Sequence, residues 1–599
     1  MPQSHGALRR VDSTIENDRN TATKPIPLPA KGTDPHPIVE LLHRADGEFR
    51  ALLNRETYDV AAAARQYREK RGRHPPPGFD KWWQYAYDNR AMFVEDFWNP
   101  IYDDLNPMWA LDPKAMLADV RAQKMQFRVR NGTVTSVDPE HDHFWMEIWL
   151  DLIQKVAEDL PDMDLAMNTM DEPRLLIPWE NMKEYVKTEH KKRKILPVEQ
   201  VTVKYSAVPP EPAEDIPKVF EWDTSLPIWE RTVAPCPPDS LARKTPTQTD
   251  FNNTPILSTE FMKPHIYEGY ISNYTLSTSI CHQPDLQGLH GYFIEPISTS
   301  TSDKLFPMFG SSKLTVNSEI LLPAAMYYKV DERYTSQAPP IAWQEKTDTM
   351  IWRGLASGGR SKADNWKGFH RHRLVSMLNG TQALAMPNSS DFINIENLPL
   401  DTWHLQSRNT SAEERPKAMS EWLTSFTEEV GFTDLNCFPM EENLGCSYTG
   451  HDFHPLKMVK LTEQHKHKYL VDIDGNSFSG RYRDFLLSGS LPIKATLFRE
   501  WHDSRLVAWK HFVPFDNRFL DIYGVMEFFL GFPKGNGGRD ELARKIAEEG
   551  QQWARKVLRP EDMKIYVYRL LLEYARVMDE KRDTLGWVDD SISGTTLEA

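Results

Sequence analysis

The sequence lacks the features that most often assign a protein at first sight. No run of 18 apolar residues occurs in its 599 residues, so it predicts no membrane-spanning helix. Residues 1–30 lack the apolar core of a secretory signal. There is also no Walker-type glycine-rich loop, no G-x-S-x-G elbow and no H-E-x-x-H helix. The common motifs for nucleotide hydrolysis, ester hydrolysis and zinc proteolysis are therefore missing.

Positive charge is scarce as well. The chain has 71 Lys and Arg against 86 Asp and Glu, a formal net charge of −15, and it contains no run of five Lys and Arg residues. Such a chain is a poor candidate for binding nucleic acid, because phosphate backbones are recognised mainly through Lys and Arg. It is rich instead in Trp (18) and Pro (43), which indicate aromatic cores or sugar-stacking surfaces and long ordered loops.

Only four cysteines are present, and they leave the cellular compartment open. Cys437 and Cys446 are close enough in sequence to close a loop, and Cys236 and Cys281 could form a second bridge; all four could equally be buried thiols. Six N-x-Ser/Thr acceptor sequences favour a lumenal protein, although such triplets also occur by chance. They begin at Asn131, Asn252, Asn273, Asn379, Asn388 and Asn409.

The segment 464–515 contains the clearest candidate binding site. Residues 469–473 are an apolar, β-branched run that predicts a buried strand turning at Asp474-Gly475 into a loop, with Arg481 at the head of a helix. A strand, a small-residue turn and a helix N-terminus favour an anion. Ser477, Ser479 and the two-pronged guanidinium of Arg481 make a diphosphate the expected anion. A second strand over 489–494 indicates repeating βαβ units.

Two further segments predict strands that end at polar residues. Residues 350–352 predict a strand that leads through Arg353-Gly354 and a glycine loop into a helix over 369–378, with Arg371 in its first turn. The alternative is that Arg371 and Arg373 are surface charges. Residues 163–167 predict a strand followed by Asp171 and Glu172, at the end where α/β sheets bind ligands; the alternative is a solvated turn.

Four ordered segments together resemble glycosyltransferase family 90, which includes fungal capsule-associated xylosyltransferases and Rumi-type protein O-glucosyltransferases. They are Q-H-K-H-K-Y-L-V-D-I-D-G-N-S-F-S-G-R from Gln464, R-G-R-H-P-P-P-G-F from Arg71, L-P-D-M-D-L-A-M-N-T-M-D-E-P-R from Leu160, and W-R-G from Trp352 with R-H-R-L from Arg371.

The resemblance implies an α/β fold of the GT-B type, with two Rossmann-like domains facing each other across a cleft. It implies inverting transfer of xylose or glucose from a uridine-diphosphate (UDP) sugar to a hydroxyl of a glycan or glycoprotein, without a metal, in the Golgi or endoplasmic-reticulum lumen. Asp171 is then the general base, and Arg371 and Arg481 contact the donor diphosphate. The remaining residues expected at the donor site are Ser477, Ser479, Gly475, Arg353 and Gly354.

The expected organisation has four parts. Residues 1–75 form a disordered stem followed by one helix from 37 to 70. Residues 76–345 form the acceptor-side domain, with a helix over 143–161 and a Pro-rich insertion, and residues 346–538 form the nucleotide-sugar domain. Residues 539–599 contain two closing helices, interrupted at Arg559-Pro560, and a tail.

Two other classes of function remain open for this protein. A non-catalytic relative would keep the cleft and bind the nucleotide. A metal-dependent hydrolase is indicated by H-x-H spacings, and Asp472-Ile473-Asp474 is the place where a metal-dependent transferase would hold its ion. The H-x-H pairs are His141/His143, His370/His372 and His465/His467.

Overall fold

The computed structural model describes residues 26–138, 143–210, 222–225, 227–336, 338–385, 403–411, 413–441 and 446–590. These residues form a mixed α/β protein, as predicted. Residues up to 345 are called the N-terminal half below and those from 346 the C-terminal half, which contains a parallel sheet. In the described part of the chain, no helix combines the length and apolarity needed to cross a membrane.

The helices make up most of the architecture. In chain order they are α1 (Pro37–Leu53), α2 (Val60–Arg71), α3 (Phe79–Asp88), α4 (Asn99–Leu105), α5 (Pro113–Arg121), α6 (Phe144–Gln154), α7 (Trp179–Lys192), α8 (Ile228–Val233), α9 (Leu241–Lys244), α10 (Tyr274–Ser277), α11 (Gly291–Ile294), α12 (Ala325–Tyr328), α13 (His370–Met377), α14 (Gly380–Ala385), α15 (Arg415–Thr427), α16 (Leu461–Gln464), α17 (Tyr482–Leu487), α18 (Ile522–Leu530), α19 (Asp540–Val557) and α20 (Pro560–Met578).

The strands are short and fall into two main sheets and three small pairs. They are β1 (Gln126–Arg130), β2 (Thr133–Ser136), β3 (Met163–Ala166), β4 (Ile266–Tyr267), β5 (Tyr270–Ile271), β6 (Phe309–Gly310), β7 (Lys313–Leu314), β8 (Ile320–Leu321), β9 (Thr347–Leu355), β10 (Glu429–Asp434), β11 (His467–Ile473), β12 (Leu491–Ala495), β13 (Phe498–Arg499) and β14 (Val513–Pro514).

The larger sheet positions the candidate site. Its strand order is β10-β9-β11-β12-β14, and all neighbouring strands in it run parallel. The carboxyl ends of β9 and β11 therefore lie side by side, where open α/β sheets bind their ligands. β11 is almost wholly buried, which agrees with its continuous apolar run. The strands predicted in this half and the helix predicted over 369–378 are confirmed by β9, β11, β12 and α13.

The smaller sheet lies in the N-terminal half and has the order β2-β1-β3, with both pairings antiparallel. Its strand β3 confirms the strand predicted over 163–167 and leads into the loop that carries Asp171. The two-domain GT-B arrangement and the four predicted domain boundaries stay predictions.

The two closing helices form as predicted, on either side of Arg559-Pro560. α19 packs against α17, α18 and β12 of the C-terminal half, whereas α20 packs against α3, α4, α5 and α6 of the N-terminal half. The last two helices therefore complete the core of both halves.

Two helix predictions were too long. The helix predicted from 37 to 70 is two helices, because the chain turns after Asn54 and the side chain of Asp59 caps α2 by accepting from the N–H of Ala62. The helix predicted over 143–161 ends at Gln154, and a short 3₁₀ turn follows it. Gly72 caps α2 with a φ of 64°, which agrees with the helix end predicted near residue 70.

The four cysteines form two disulfides, Cys236–Cys281 and Cys437–Cys446. The alternative of four buried thiols is therefore wrong. Both bridges join segments that lie outside the α-helices and strands.

Candidate functional site

Hydrogen bonds to the carboxylate of Asp474 hold the turn after β11 in place. One carboxylate oxygen of Asp474 accepts from the backbone N–H of Leu497 at 2.8 Å and lies 3.3 Å from the imidazole of His290, while the other accepts from the Thr496 hydroxyl. Two residues earlier, Asp472 pairs with Lys494 at 2.7 Å. Both carboxylates of the D-x-D sequence therefore already serve protein donors.

Arg371 joins the ends of the two central strands. From the first turn of α13, its Nε donates to the carbonyl of Asp474 at 2.8 Å, and one Nη donates to the carbonyl of Leu355 at 2.9 Å and to Ser357 Oγ at 2.8 Å. Arg371 and Arg373 are only 8% and 3% exposed, so the surface-charge alternative is wrong. Burial, followed by the neighbouring Arg481, lowers the pKa of Arg371 to about 9.

Arg481 lies beside Arg371, immediately before α17. Its Nη1 donates to the carbonyl of Arg353 at 2.6 Å, and burial lowers its pKa. Among the described residues, no carboxylate lies within salt-bridge distance of either Arg371 or Arg481. Two neighbouring guanidinium groups without such a counter-ion are a candidate site for an anion, because a bound negative charge would relieve their mutual repulsion.

The loop between Gly475 and Arg481 adds neutral donors. The N–H of Gly475 closes the turn on the carbonyl of Ser477 at 2.7 Å. Ser477 and Ser479 are buried, and the hydroxyl of Ser479 has no partner among the described residues. A Cβ at position 475 would lie 3.2 Å from an Nη of Arg371, so glycine allows this close approach. The structure thus brings Gly475, Ser477, Ser479, Arg371 and Arg481 together.

The other two predicted donor-site residues contribute differently. The guanidinium of Arg353 pairs with Glu429 on the neighbouring strand β10 at 2.5 Å, and it is the Arg353 carbonyl that contacts Arg481. Gly354 follows on β9 against the indole ring of Trp352. A role for the Arg353 side chain in binding the donor stays a prediction.

Two adjacent carboxylates from the N-terminal half lie in different surroundings. Asp171 is exposed, and one of its oxygens accepts a 2.9 Å hydrogen bond from the side-chain amide of Asn476 in the donor-side loop. Glu172 is 1% exposed and accepts from the N–H of Ile297 at 2.9 Å and from Ser298 Oγ at 2.6 Å; burial raises the pKa of Glu172. Of the two, Asp171 is the one that reaches the loop of the anion site.

Sequence reasoning missed two residues beside this site. Asn476 gave no signal, because a single amide in a loop has no periodicity. Tyr334 comes from a short polar segment, and its ring packs against Gly480. Burial raises the pKa of Tyr334, and the opposing charges of Asp171 and Arg481 also act on it, so its hydroxyl lies in the field of both.

In the described part of the chain, the two histidines of each complete H-x-H pair contact different groups. His370 stacks on His290 at 3.8 Å between ring centroids and contacts the Asp474 carbonyl, whereas His372 packs separately against aromatic rings. His465 lies 2.9 Å from Asp484, and His467 lies 2.7 Å from the Thr349 hydroxyl. His141 lies outside the described residues.

These observations define an α/β protein with an anion site at the carboxyl edge of a parallel sheet, beside an exposed carboxylate. Comparison with known proteins indicates a protein family: residues 443–585 match the sequence profile described as glycosyl transferase family 90. The resemblance of this chain to that family is therefore confirmed. The matched residues include Gly475, Ser477, Ser479 and Arg481, and they begin after Asp171 and Arg371.

Individual relatives match a similar share of the chain. Mouse protein O-glucosyltransferase 3 is 33% identical over 145 residues, which is 24% of this chain and 27% of that protein. Human protein O-glucosyltransferase 1 is 33% identical over 123 residues, 20% of this chain and 30% of that protein. Zebrafish (Danio rerio) protein O-glucosyltransferase 2 is 28% identical over 127 residues, 21% of this chain and 24% of that protein. The chain therefore spans less than a third of the length of each of these relatives.

Proposed function

We propose that this protein is an inverting glycosyltransferase that moves xylose or glucose from a UDP-sugar to a hydroxyl group of a glycan or glycoprotein. The observation that carries the proposal is the pair Arg371 and Arg481 at the carboxyl edge of the sheet, near an exposed Asp171, with no carboxylate of the described residues within salt-bridge distance of either arginine. A diphosphate would supply the missing negative charge. The similarity to protein O-glucosyltransferases supports the same class of reaction.

The proposed reaction is one displacement at the anomeric carbon. The acceptor hydroxyl gives its proton to the Asp171 carboxylate, and its oxygen forms a bond to the anomeric carbon as the bond to the diphosphate oxygen breaks. The electron pair of that bond leaves with UDP. Arg371 and Arg481 stabilise the charge that grows on the leaving diphosphate, with the loop from Ser477 to Arg481 as a further source of donors.

The finer fold proposal is the GT-B arrangement, in which the N-terminal half binds the acceptor and the C-terminal half binds the donor. Its support is that Asp171 follows a strand of the N-terminal half, while both arginines lie in the C-terminal half, Arg371 in α13 and Arg481 immediately before α17. The reaction is proposed to need no metal, because the carboxylates of Asp472 and Asp474 already serve protein donors.

We place the protein in the lumen of the secretory pathway. Two disulfides suit an oxidising compartment. Four of the acceptor asparagines, moreover, are exposed and so accessible to a modifying enzyme: Asn131, Asn252, Asn273 and Asn409.

The test is release of UDP from UDP-xylose and UDP-glucose, each with glycan and protein acceptors, with and without a chelator. We expect acceptor-dependent UDP release that the chelator leaves unchanged and that Asp171→Asn abolishes. Binding of UDP without turnover of any donor would favour the non-catalytic relative. Loss of activity on chelation would contradict the metal-free reaction.

A further inference from the structure

The side chain of Asn476 bridges the two halves of the site. Its Oδ1 accepts from the backbone N–H of Gly358 at 3.0 Å and of Gly359 at 3.2 Å, and its Nδ2 donates to Asp171 at 2.9 Å. Two backbone donors require an oxygen at the Oδ1 position, so the amide can present only its NH₂ group to Asp171. The direction of this hydrogen bond is therefore fixed by the glycine loop rather than by Asp171.

The loop that orients Asn476 is closely enclosed. Gly358 and Gly359 have φ of 107° and 124°, and a Cβ at either position would lie within 2.5 Å of His370 or of the carbonyl of Glu295. The preceding residue, Ser357, accepts a hydrogen bond from Arg371. The same loop thus contacts both the arginine expected at the diphosphate and the amide that reaches Asp171.

We propose that Asn476 is a positioning residue that aligns Asp171 with the donor site; this inference rests on the proposed function. Its hydrogen bond occupies one oxygen of Asp171 and leaves the other for the acceptor hydroxyl. Because Asp171 comes from the N-terminal half, this bond sets the distance between base and donor.

Two substitutions of Asn476 separate the acceptor role of its amide oxygen from the donor role of its amide nitrogen. Asn476→Asp keeps an oxygen to accept from Gly358 and Gly359 but replaces the donor to Asp171 by a second carboxylate. Asn476→Ala removes both contacts. Asn253→Asp, at an exposed loop position, makes the same chemical change away from the site. All three are compared with wild type and Asp171→Asn in the full chain.

We expect both Asn476 variants to lower kcat for transfer about 10- to 100-fold, while the Kd for UDP changes less than about 2-fold. The loss of kcat should be larger in Asn476→Asp, because its carboxylate repels the Asp171 carboxylate where the amide donated a hydrogen bond. Glu172 and Tyr334 also interact electrostatically with Asp171 and are unchanged in both variants. Asn253→Asp should match wild type in kcat and Kd.

The inference is overturned if Asp171→Asn is inactive but the Asn476 variants keep wild-type kcat. It is also overturned if their Kd for UDP rises in step with the loss of kcat, since Asn476 would then act on donor binding. Retention of transfer by Asp171→Asn would instead remove the base from the proposed function, so the two failures are distinguishable.

Discussion

Asp171 and Glu172 are neighbours in the chain but lie in opposite environments: the first is exposed at the donor-side loop, and the second is 1% exposed and bonded to Ile297 and Ser298. Both lie in a bend after β3 that leaves Asp171 at the surface and Glu172 buried, so of the two carboxylates Asp171 is the one open to a substrate. Glu172 has a structural task, because its buried carboxylate is satisfied by the two donors of Ile297 and Ser298.

This contrast gives the first prediction. Asp171→Asn should lower turnover on the order of 100-fold or more without changing the Tm, since it removes the base from an exposed position. Glu172→Gln should lower the Tm and affect turnover much less, because the buried carboxylate loses an acceptor. Turnover and thermal unfolding of both variants check the assignment. Near-wild-type turnover in Asp171→Asn with an inactive, folded Glu172→Gln would move the base to Glu172.

A second prediction concerns Arg481. Arg481→Ala should weaken UDP binding and lower kcat together, because charge-assisted hydrogen bonds of roughly 1.5–3 kcal/mol each are lost as charge develops on the diphosphate. Arg481→Lys should recover only part of either, since it keeps the charge but not the two-pronged geometry. Arg555→Ala, on the exposed face of α19, is the matched control and should change neither.

Calorimetric titration with UDP and steady-state kinetics measure both effects of the Arg481 substitutions. Unfolding of Arg481→Ala, with normal UDP affinity in the fraction that stays folded, would make Arg481 a structural residue and move the diphosphate site elsewhere.

A third prediction separates two roles for Arg353, whose guanidinium pairs with Glu429. We expect Arg353 to support the donor site through its carbonyl, so Arg353→Gln should leave the Kd for UDP within about 2-fold of wild type. Glu429→Gln should lower the Tm at least as much as Arg353→Gln, because it leaves a buried guanidinium without its counter-ion. About a tenfold rise in the Kd for UDP in Arg353→Gln would instead support direct contact between its guanidinium and the donor.

A fourth prediction concerns stability and pH. Burial alone would lower the pKa of His502, but Glu500 and Asp503, at 3.4 and 3.5 Å, outweigh it and raise the pKa to about 9. A histidine whose folded pKa exceeds its unfolded value of 6.5 stabilises the protein fully below that value, and the contribution fades as the pH rises towards about 9. The contribution is on the order of 3 kcal/mol.

The measurement for His502 is thermal unfolding of wild type and His502→Gln from about pH 6 to about pH 9.5. The wild-type advantage in Tm should be largest at the acid end and should shrink across this range. A difference that stays constant with pH would mean that His502 is not charged in the folded protein.

The sequence allowed prediction of the elements whose signal is local. An apolar run or a helical period predicts each of these elements: the buried strands β9 and β11, the helix α13 and the two closing helices. The positions of Arg371 and Arg481 beside the sheet followed from them. The direction of the N-terminal strands could not be predicted in the same way, because antiparallel pairing depends on the partner that tertiary structure supplies.

The contacts that complete the site were beyond the reach of sequence patterns. Asn476 and Asp171 are 305 residues apart in the chain, and no periodicity connects them. The ion pair of Arg353 with Glu429 likewise depends on which strands meet in space. The break between α1 and α2 was missed because the alanine-rich run after Asp59 continues the helical period.

The last helix has a consequence for how the chain reaches its native state. The carboxylate of Glu573 on α20 accepts from the hydroxyls of Tyr67 and Tyr102 at 2.8 Å, and the Tyr574 hydroxyl donates to the carbonyl of Asp164 on β3 at 2.6 Å. During synthesis, the N-terminal half leaves the ribosome first, and the strand that leads to Asp171 gains its contact with Tyr574 only after residues 560–578 have followed. A fragment restricted to the matched residues 443–585 would likewise carry α20 without the tyrosines that its buried glutamate needs, so the family profile marks a stretch of sequence and not an independently folding unit.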